Sequence, residues 1–344
     1  MIDWITCKIP CFHRKILTGG EIVNVSPTGE IEYVINKKLS VEGSYSSKVA
    51  VRSCDFSREH GHGTIIEVSG NPVKFLQGHN IFGTDDLLNL NFSFMEKLTT
   101  ILELEPTWDD FIAWRDGLYT LSRVDINYMF QLENLMQVQA WLRAAELKSR
   151  TRQGRPAMKG GSLYFNDGSK RWGFVFYSKG EEIAVKGRLP EELKSNKQLT
   201  EWTQNKLRAE LRLRYRELDT LLLTRAKNWR TLKPRDLHRI YMERINMTDQ
   251  VALPGLIEQS LPPRLRTAYL SWKAGTDLKD IYSRPTYYRY RKQLLEYGID
   301  IAILQEKEPD NVIPLVQVLE AQPVSTPDFA IGTDLYFQPR KVAF

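Results

Sequence analysis

The segment 207-LRAELRLRYRE-217 alternates apolar and charged side chains. Leu207, Ala209, Leu211, Leu213 and Tyr215 fall on one side, and Arg208, Glu210, Arg212, Arg214 and Arg216 on the other. A period of two is that of a strand with one face on a core and the other in water. Leucine and arginine also form helices well, so a helical reading stays open at this level. As a strand, the segment sets one carboxylate, Glu210, among arginines, where it is a candidate metal ligand or an ion-pair partner of Arg208 or Arg212.

Working outward, 162-SLYF-165 and 172-WGFVFY-177 flank the turn 166-NDGSK-170 and read as a strand pair. Alternating runs at 30-EIEYVI-35 and 64-TIIEVS-69 lie between Gly, Asn and Ser turns, and 121-LSRVDINYMF-130 is β-branched and aromatic, so these are expected strands too. Helices are expected over 84–102, opened by Thr84 and two aspartates, and over 133–149. The stretch 150–161 is basic and rich in Gly and Pro, and is read as a loop. Strands followed by helices give an α+β chain with an antiparallel sheet.

With 344 residues, 42% of them apolar, the chain can bury a full core. Its start has no signal-peptide core, and no run approaches the roughly 20 apolar residues of a membrane span, so a cytoplasmic location without membrane association is expected. Cys7, Cys11 and Cys54 are too few for a disulfide framework or a tetrahedral zinc site and read as buried thiols. The net charge of +6 is concentrated. Residues 225–300 hold 15 Lys/Arg against 8 Asp/Glu, while 301–344 hold 3 against 6. Within the basic block, 277-DLKDIYSRPTYYRYRKQLLEYGID-300 reads as a short helix, a break and a longer basic helix, the pattern of a helix-turn-helix DNA reader. A helical hairpin with a solvated basic face has the same pattern. The proline-containing tail from 305 is expected to lie extended over other parts or to be mobile.

Chemistry-bearing residues gather at Glu67, His79, Asp125 and the pair Tyr177 and Lys179. Singly, each has a plain structural explanation. A loop histidine is commonly a hydrogen-bonded structural residue, and Asp125 has Arg123 two positions away as a salt-bridge partner. Tyr177 and Lys179, two apart on a strand, are expected to share a face.

The run 72-PVKFLQGHNIFGTDDL-87, the 122-SRVD-125 strand, the Y-x-K of 177–179 and 311-NVIPLVQVLE-320 resemble, in that order, the replication-initiation endonucleases of filamentous bacteriophages, the gene II/X protein family. The resemblance implies a Rep-like, antiparallel-sheet nicking domain that cuts one strand of the phage duplex at its origin, starts rolling-circle replication and rejoins the released strand. Tyr177 would be the nucleophile and Lys179 its cation. A phenol attacking phosphorus conserves the bond energy as a phosphotyrosine, and a neighbouring ammonium favours the phenolate. A divalent cation, Mg2+ or Mn2+, would polarise the phosphoryl oxygen. Glu67, His79 and Asp125 are the expected ligands by residue type and motif position, with Glu210 in reserve. His60-Gly61-His62 mimics the paired histidines of many rolling-circle nucleases, but its glycine and its place at a turn argue against it.

The expected layout is a catalytic domain over 1–225, a helical DNA-binding domain over 226–304 and an extended tail over 305–344. Arg123, the loop arginines Arg150, Arg152 and Arg155, and Arg284, Arg289, Arg291 and Lys292 are the expected DNA contacts. Duplex and nicked origin DNA are the expected partners, with host helicase and polymerase, and an oligomer on DNA. The family also suggests a shorter product starting at Met242 or Met247. The competing reading is a non-enzymatic DNA-binding copy-control regulator, in which the sheet serves as a dimer platform.

Overall fold

The computed structural model describes residues 1–186, 189–247, 261–273, 275–297, 299–303, 318 and 322–337. Its first elements are β1 (Ile2–His13), β2 (Glu21–Val25), β3 (Ile31–Asn36), β4 (Leu39–Glu42), β5 (Lys48–Ser53) and β6 (Gly63–Gly70), then α1 (Pro72–Gln77), α2 (Leu87–Ile101) and α3 (Trp108–Asp116). Next come β7 (Thr120–Gln131), α4 (Leu135–Lys148), β8 (Ser149–Arg150), β9 (Ala157–Lys159), β10 (Ser162–Phe165) and β11 (Trp172–Ser178). They are followed by α5 (Lys179–Lys186), α6 (Glu191–Lys194), α7 (Lys197–Thr203), β12 (Lys206–Arg214), α8 (Tyr215–Thr220), α9 (Pro234–Met242) and β13 (Asn246–Met247). The last described helices are α10 (Pro263–Lys273), α11 (Leu278–Ile281) and α12 (Arg284–Leu295).

Nine strands form one antiparallel sheet in the order β4-β5-β6-β1-β7-β12-β11-β10-β9. The alternation in β12 is what the sheet requires. Leu207, Ala209, Leu211 and Leu213 are fully buried on the core side, each leucine contributing about 2 kcal/mol by burial. Leu211→Asp would place an unpaired charge there and break the strand's packing. Helices α2, α3, α4, α8 and α9 supply the rest of that core through Phe94, Trp114, Trp141, Leu218 and Tyr241. The fold is α+β, as the strand and helix patterns require.

Several local expectations change. The strand ends at Arg214, and Tyr215 opens α8, 53% exposed, instead of completing the apolar row. The chain start, which carries no alternation longer than a few residues, is the 12-residue strand β1 between β6 and β7. The stretch 150–161 contains β9 and a Thr151–Gly154 bridge, so it is partly ordered into the sheet edge. Residues 226–245 pack on the large core through Trp229, Leu237, Tyr241 and Ile245, so the boundary expected at 225 falls inside that core. A separate cluster of Leu265, Trp272, Leu278, Tyr287, Leu294 and Ile301 holds α10 to α12 together.

A third cluster lies on the sheet's polar side. Residues 322–337 return there as a strap: the Val324 amide donates to the Met129 carbonyl at 2.9 Å and the Phe337 amide to Gln77 Oε1 at 2.8 Å. Ala330 and Phe329 pack with Ile81, Phe82, Ile183, Leu199 and Trp202. The described part of the tail, 322–337, packs on that side, with turns over 328–336 in place of an extended run. The 311–320 motif falls outside the described residues apart from Val318, which packs against the large core.

Candidate active site on the polar face of the sheet

The face opposite the large core carries the chemistry. Pairing sets Asp125 against Arg212, Asn127 against Glu210, and Arg208 against both Met129 and Tyr177. Directly opposed residues on neighbouring strands share a face with Cβ atoms about 5 Å apart. Asp125, Asn127, Arg208, Glu210, Arg212 and Tyr177 thus form one patch across β7, β12 and β11.

The Tyr177 hydroxyl donates to Glu210 Oε2 at 3.5 Å. The ring is 9% exposed, and burial pushes the phenol well above its ordinary pKa. The Arg208 guanidinium, 5.9 Å from the ring centroid, is the charge that pulls it back down. Arg208 is fully buried, donating from Nη2 to Asp3 Oδ1 at 2.8 Å and from Nη1 to the Asn80 carbonyl at 2.7 Å. Strand alternation alone points to Arg208 only as an ion-pair partner of Glu210. In the fold its partner is Asp3, on a strand that carries no such signal.

Lys179 is the first residue of α5 and does not extend β11, so the shared strand face expected for Tyr177 and Lys179 is not how they meet. The turn into the helix buries the ammonium, which donates to Glu182 Oε2 at 2.6 Å and Asn80 Oδ1 at 2.9 Å. Burial lowers its pKa to about 8, with Glu182 opposing the shift. Asn80 thereby joins Lys179, Arg208 and, through its Nδ2 at 3.0 Å, Asp3.

Asp125 is 1% exposed and is gripped by Arg123, whose Nε lies 2.9 Å from Oδ1 and Nη2 2.5 Å from Oδ2. Burial first, and then the charge of Glu210, raises its pKa to about 7 against the pull of Arg123 and Arg212. Arg212 Nε lies 2.8 Å from Glu210 Oε1 and 4.0 Å from Asp125 Oδ2, so one guanidinium bridges the two carboxylates. Arg123 is therefore a partner of Asp125 before it is a DNA contact.

The four expected ligands do not meet. Glu67 pairs with Lys8 on β1 whereas Asp125 pairs with Trp4, which separates them by two strands and four residues, roughly 17 Å. Its carboxylate is neutralised by Arg52 at 2.6 Å and Lys38 at 2.7 Å. His79 borders the site but is turned into its own loop. Its Nδ1 accepts from the Ile81 amide at 3.2 Å, and its buried Nε2 has no hydrogen-bond partner among the described residues. Burial, and then Lys179, lowers its pKa to about 4. The loop starts at Gly78, whose φ of 86° caps α1 in the left-handed region; a Cβ there would meet the Tyr45 ring at 2.1 Å. His62 is half-buried against Phe12 with the exposed His60 beside it, roughly 27 Å along β1 from Trp4. Among the described residues no three His, Cys, Asp or Glu side chains gather as a metal cluster. Asp125 and Glu210 remain as hard oxygen donors of the kind magnesium takes, but Arg123 holds both oxygens of the first and Arg212 one of the second, so the pair as arranged does not fit a cation.

Of the expected DNA contacts, Arg150, Arg152, Arg155, Arg284, Arg289 and Lys292 are exposed. Arg291 instead turns inward, its Nε 2.8 Å from Asp300 Oδ1, where Arg143 of α4 also pairs. No helix among the described residues is long and apolar enough to cross a membrane.

Two family descriptions match, both of the replication-associated protein encoded by gene II of filamentous phages. Residues 1–232 match its N-terminal family and residues 258–335 its C-terminal family. The chain is 43% identical over 331 residues to the replication-associated protein of Enterobacteria phage I2-2, covering 95% of each chain. It is 23% identical over 359 aligned positions to that of Salmonella phage IKe, covering 84% of this chain and 82% of the other. With a family match across two thirds of its length and a relative this similar along nearly all of it, the chain belongs to the family of replication-associated proteins encoded by gene II of filamentous phages.

Proposed function

We propose that this replication protein nicks one strand of the phage origin through Tyr177 and later rejoins it. The observation that carries this reading is the Tyr177 hydroxyl set against Glu210, with the buried Arg208 guanidinium 5.9 Å from the ring centroid and Lys179 tied to Arg208 through Asn80. In the step, the phenolic oxygen bonds to phosphorus and the phosphorus bond to the deoxyribose 3′ oxygen breaks. The phenol proton passes to Glu210, and the departing 3′ oxygen takes a proton to become a free hydroxyl. Reversal by a 3′-hydroxyl reseals the strand.

Lys179 and Arg208 balance charge on the phosphoryl group, a contribution of the kind that costs about 10²- to 10³-fold in rate when one donor is removed. Asp125 and Glu210 are held by Arg123 and Arg212 and offer a divalent cation no free carboxylate, so the step runs on the phenol, Glu210 and the buried cations. Asn80 holds both Lys179 and Arg208, so DNA enters as the loop carrying it moves aside. The exposed arginines at 150–155 and on α12 grip phosphates and position duplex origin DNA.

The test is incubation of the phage's supercoiled duplex with protein and magnesium. Open circles from wild type and none from Tyr177→Phe support the reading. Undiminished nicking by Tyr177→Phe, or no nicking by wild type, refutes it. The competing regulator reading predicts that Tyr177→Phe leaves replication intact.

A further inference from the structure

We infer that Phe82, Trp202 and Lys206 form a slot for one base of single-stranded DNA beside the attacked phosphate, and that Phe329 of the strap fills it until DNA arrives. This rests on reading Tyr177 as the nucleophile, which makes the polar face of the sheet the path of the cut strand. Lys206 opens β12 on the same face as Arg208, two residues or roughly 7 Å from it, and Arg208 stands directly opposite Tyr177. At about 3.4 Å of strand per nucleotide in a duplex, and more in an extended single strand, the slot falls one or two nucleotides from the phosphate that Tyr177 attacks.

Charge is the first feature that points to a nucleotide. Lys206 is 3% exposed, donates to Asn205 Oδ1 at 2.6 Å and sets its ammonium 4.6 Å from the centroid of the Trp202 ring. Among the described residues no carboxylate offsets its burial, which lowers its pKa to about 8. The other deeply buried cations of this face differ, since Arg208 has Asp3 and Lys179 has Glu182. A buried ammonium without an anion is costly, and a DNA phosphate is the anion that a nicking site brings.

The aromatic lining is the second. The Phe82 ring meets Trp202 at 5.1 Å and Phe329 at 6.1 Å between centroids, both edge to face. Phe82 belongs to the loop that carries Asn80 and Trp202 to α7, whereas Phe329 comes from the strap. When the strap leaves, the place of one ring opens against Phe82 and Trp202. Stacking on aromatic rings accepts any base, because each has a π face. A peptide side chain such as Phe329 satisfies the rings and leaves Lys206 without an anion; a nucleotide supplies the ring and the anion together.

The test tiles 5-iododeoxyuridine through single-stranded origin oligonucleotides, irradiates each with the full-length protein and maps the adducts by mass spectrometry, with single-strand affinities measured alongside. A label on Phe82 or Trp202 is expected from one position or two adjoining ones, within two nucleotides of the nick. Phe329→Ala is expected to raise single-strand affinity at least about threefold by opening the slot, and Trp202→Leu to lower it at least about fivefold, the low end for one lost stack. Lys206→Gln is expected to lower the salt slope of binding by about 0.7, the contribution of one phosphate on a single strand. Adducts on other residues only or from positions farther away, smaller changes from Phe329→Ala or Trp202→Leu, or an unchanged salt slope in Lys206→Gln overturns the inference. If Trp202→Leu does not fold, the adduct map and Lys206→Gln decide. Tyr177→Phe keeps the two readings apart: persistent nicking together with a label on Trp202 removes the nucleophile and leaves the slot, whereas nicking lost with no label on either ring removes the slot alone.

Discussion

The Tyr177 hydroxyl donates to Glu210 across the β11–β12 pair, yet the two residues are not directly opposite: Tyr177 faces Arg208, and Glu210 faces Val175. The contact is diagonal, and it places the acceptor of the phenol proton on the strand that also carries the phenol's cation. Glu210→Gln should keep the fold, changing stability by no more than about 1 kcal/mol because Arg212 retains Asp125 nearby. It should lower single-turnover strand cleavage by about 10²-fold or more. Cleavage within threefold of wild type would remove Glu210 from the chemistry.

Stability should depend on pH through three buried groups. Burial holds His79 near 4 and His238 near 3, both below the unfolded value, so the stability they confer is present above about pH 6.5 and is lost as pH falls from there. Asp125 acts in the opposite sense. Its folded value of about 7 exceeds the ordinary 3.8, so its contribution is complete below that ordinary value and is lost as pH rises through 7. Two imidazoles against one carboxyl leave a net loss on acidification of at most about 1.4 kcal/mol per pH unit between roughly pH 6.5 and 4. Asp125→Asn removes the opposing contribution, and urea titrations across that range should show a steeper loss than wild type.

The exposed and the inward-turned arginines of α12 should separate in binding assays. Removing Arg289 or Lys292 should lower the salt slope of DNA affinity by about one unit with no change in melting. Arg291→Ala should instead destabilise the helical cluster by about 1–3 kcal/mol, because it strips one of the two guanidiniums from a carboxylate that is 4% exposed. Equal effects on melting from all three variants would contradict the division.

The strap should protect the loop over Tyr177. Removing residues 322–344 takes away Val324, Phe329 and Ala330, and with them the packing on Ile81 and Phe82. Hydrogen exchange over 79–82 should then quicken by at least about tenfold while β7 and β12 stay protected. Unchanged exchange at 79–82 would mean that Gln77 and the loop's own bonds hold it without the strap.

The sheet was legible where apolar and charged residues alternate, as in β12, although its charged face proves to be buried as well, with Arg208 at 0% and Glu210 at 6% exposure. The first 95 or so residues read as antiparallel strands, which β1 bears out, but nothing in Ile2–His13 marks it as a 12-residue strand near the centre of the sheet. Tyr177, Lys179, Asp125 and Glu210 stood out by residue type and spacing, and they do gather around one patch. Glu67 stood out equally, but type and spacing carry no information on Lys38 and Arg52, which reach it from neighbouring segments.

The central claim is tested most directly by trapping the protein on radiolabelled phage DNA with magnesium, digesting the denatured adduct with trypsin and locating the labelled residue by mass spectrometry. The account predicts a phosphodiester on Tyr177, in the peptide that ends at Lys179. A label on Tyr164, the half-buried tyrosine of the neighbouring strand, or cleavage with no covalent adduct, would contradict it.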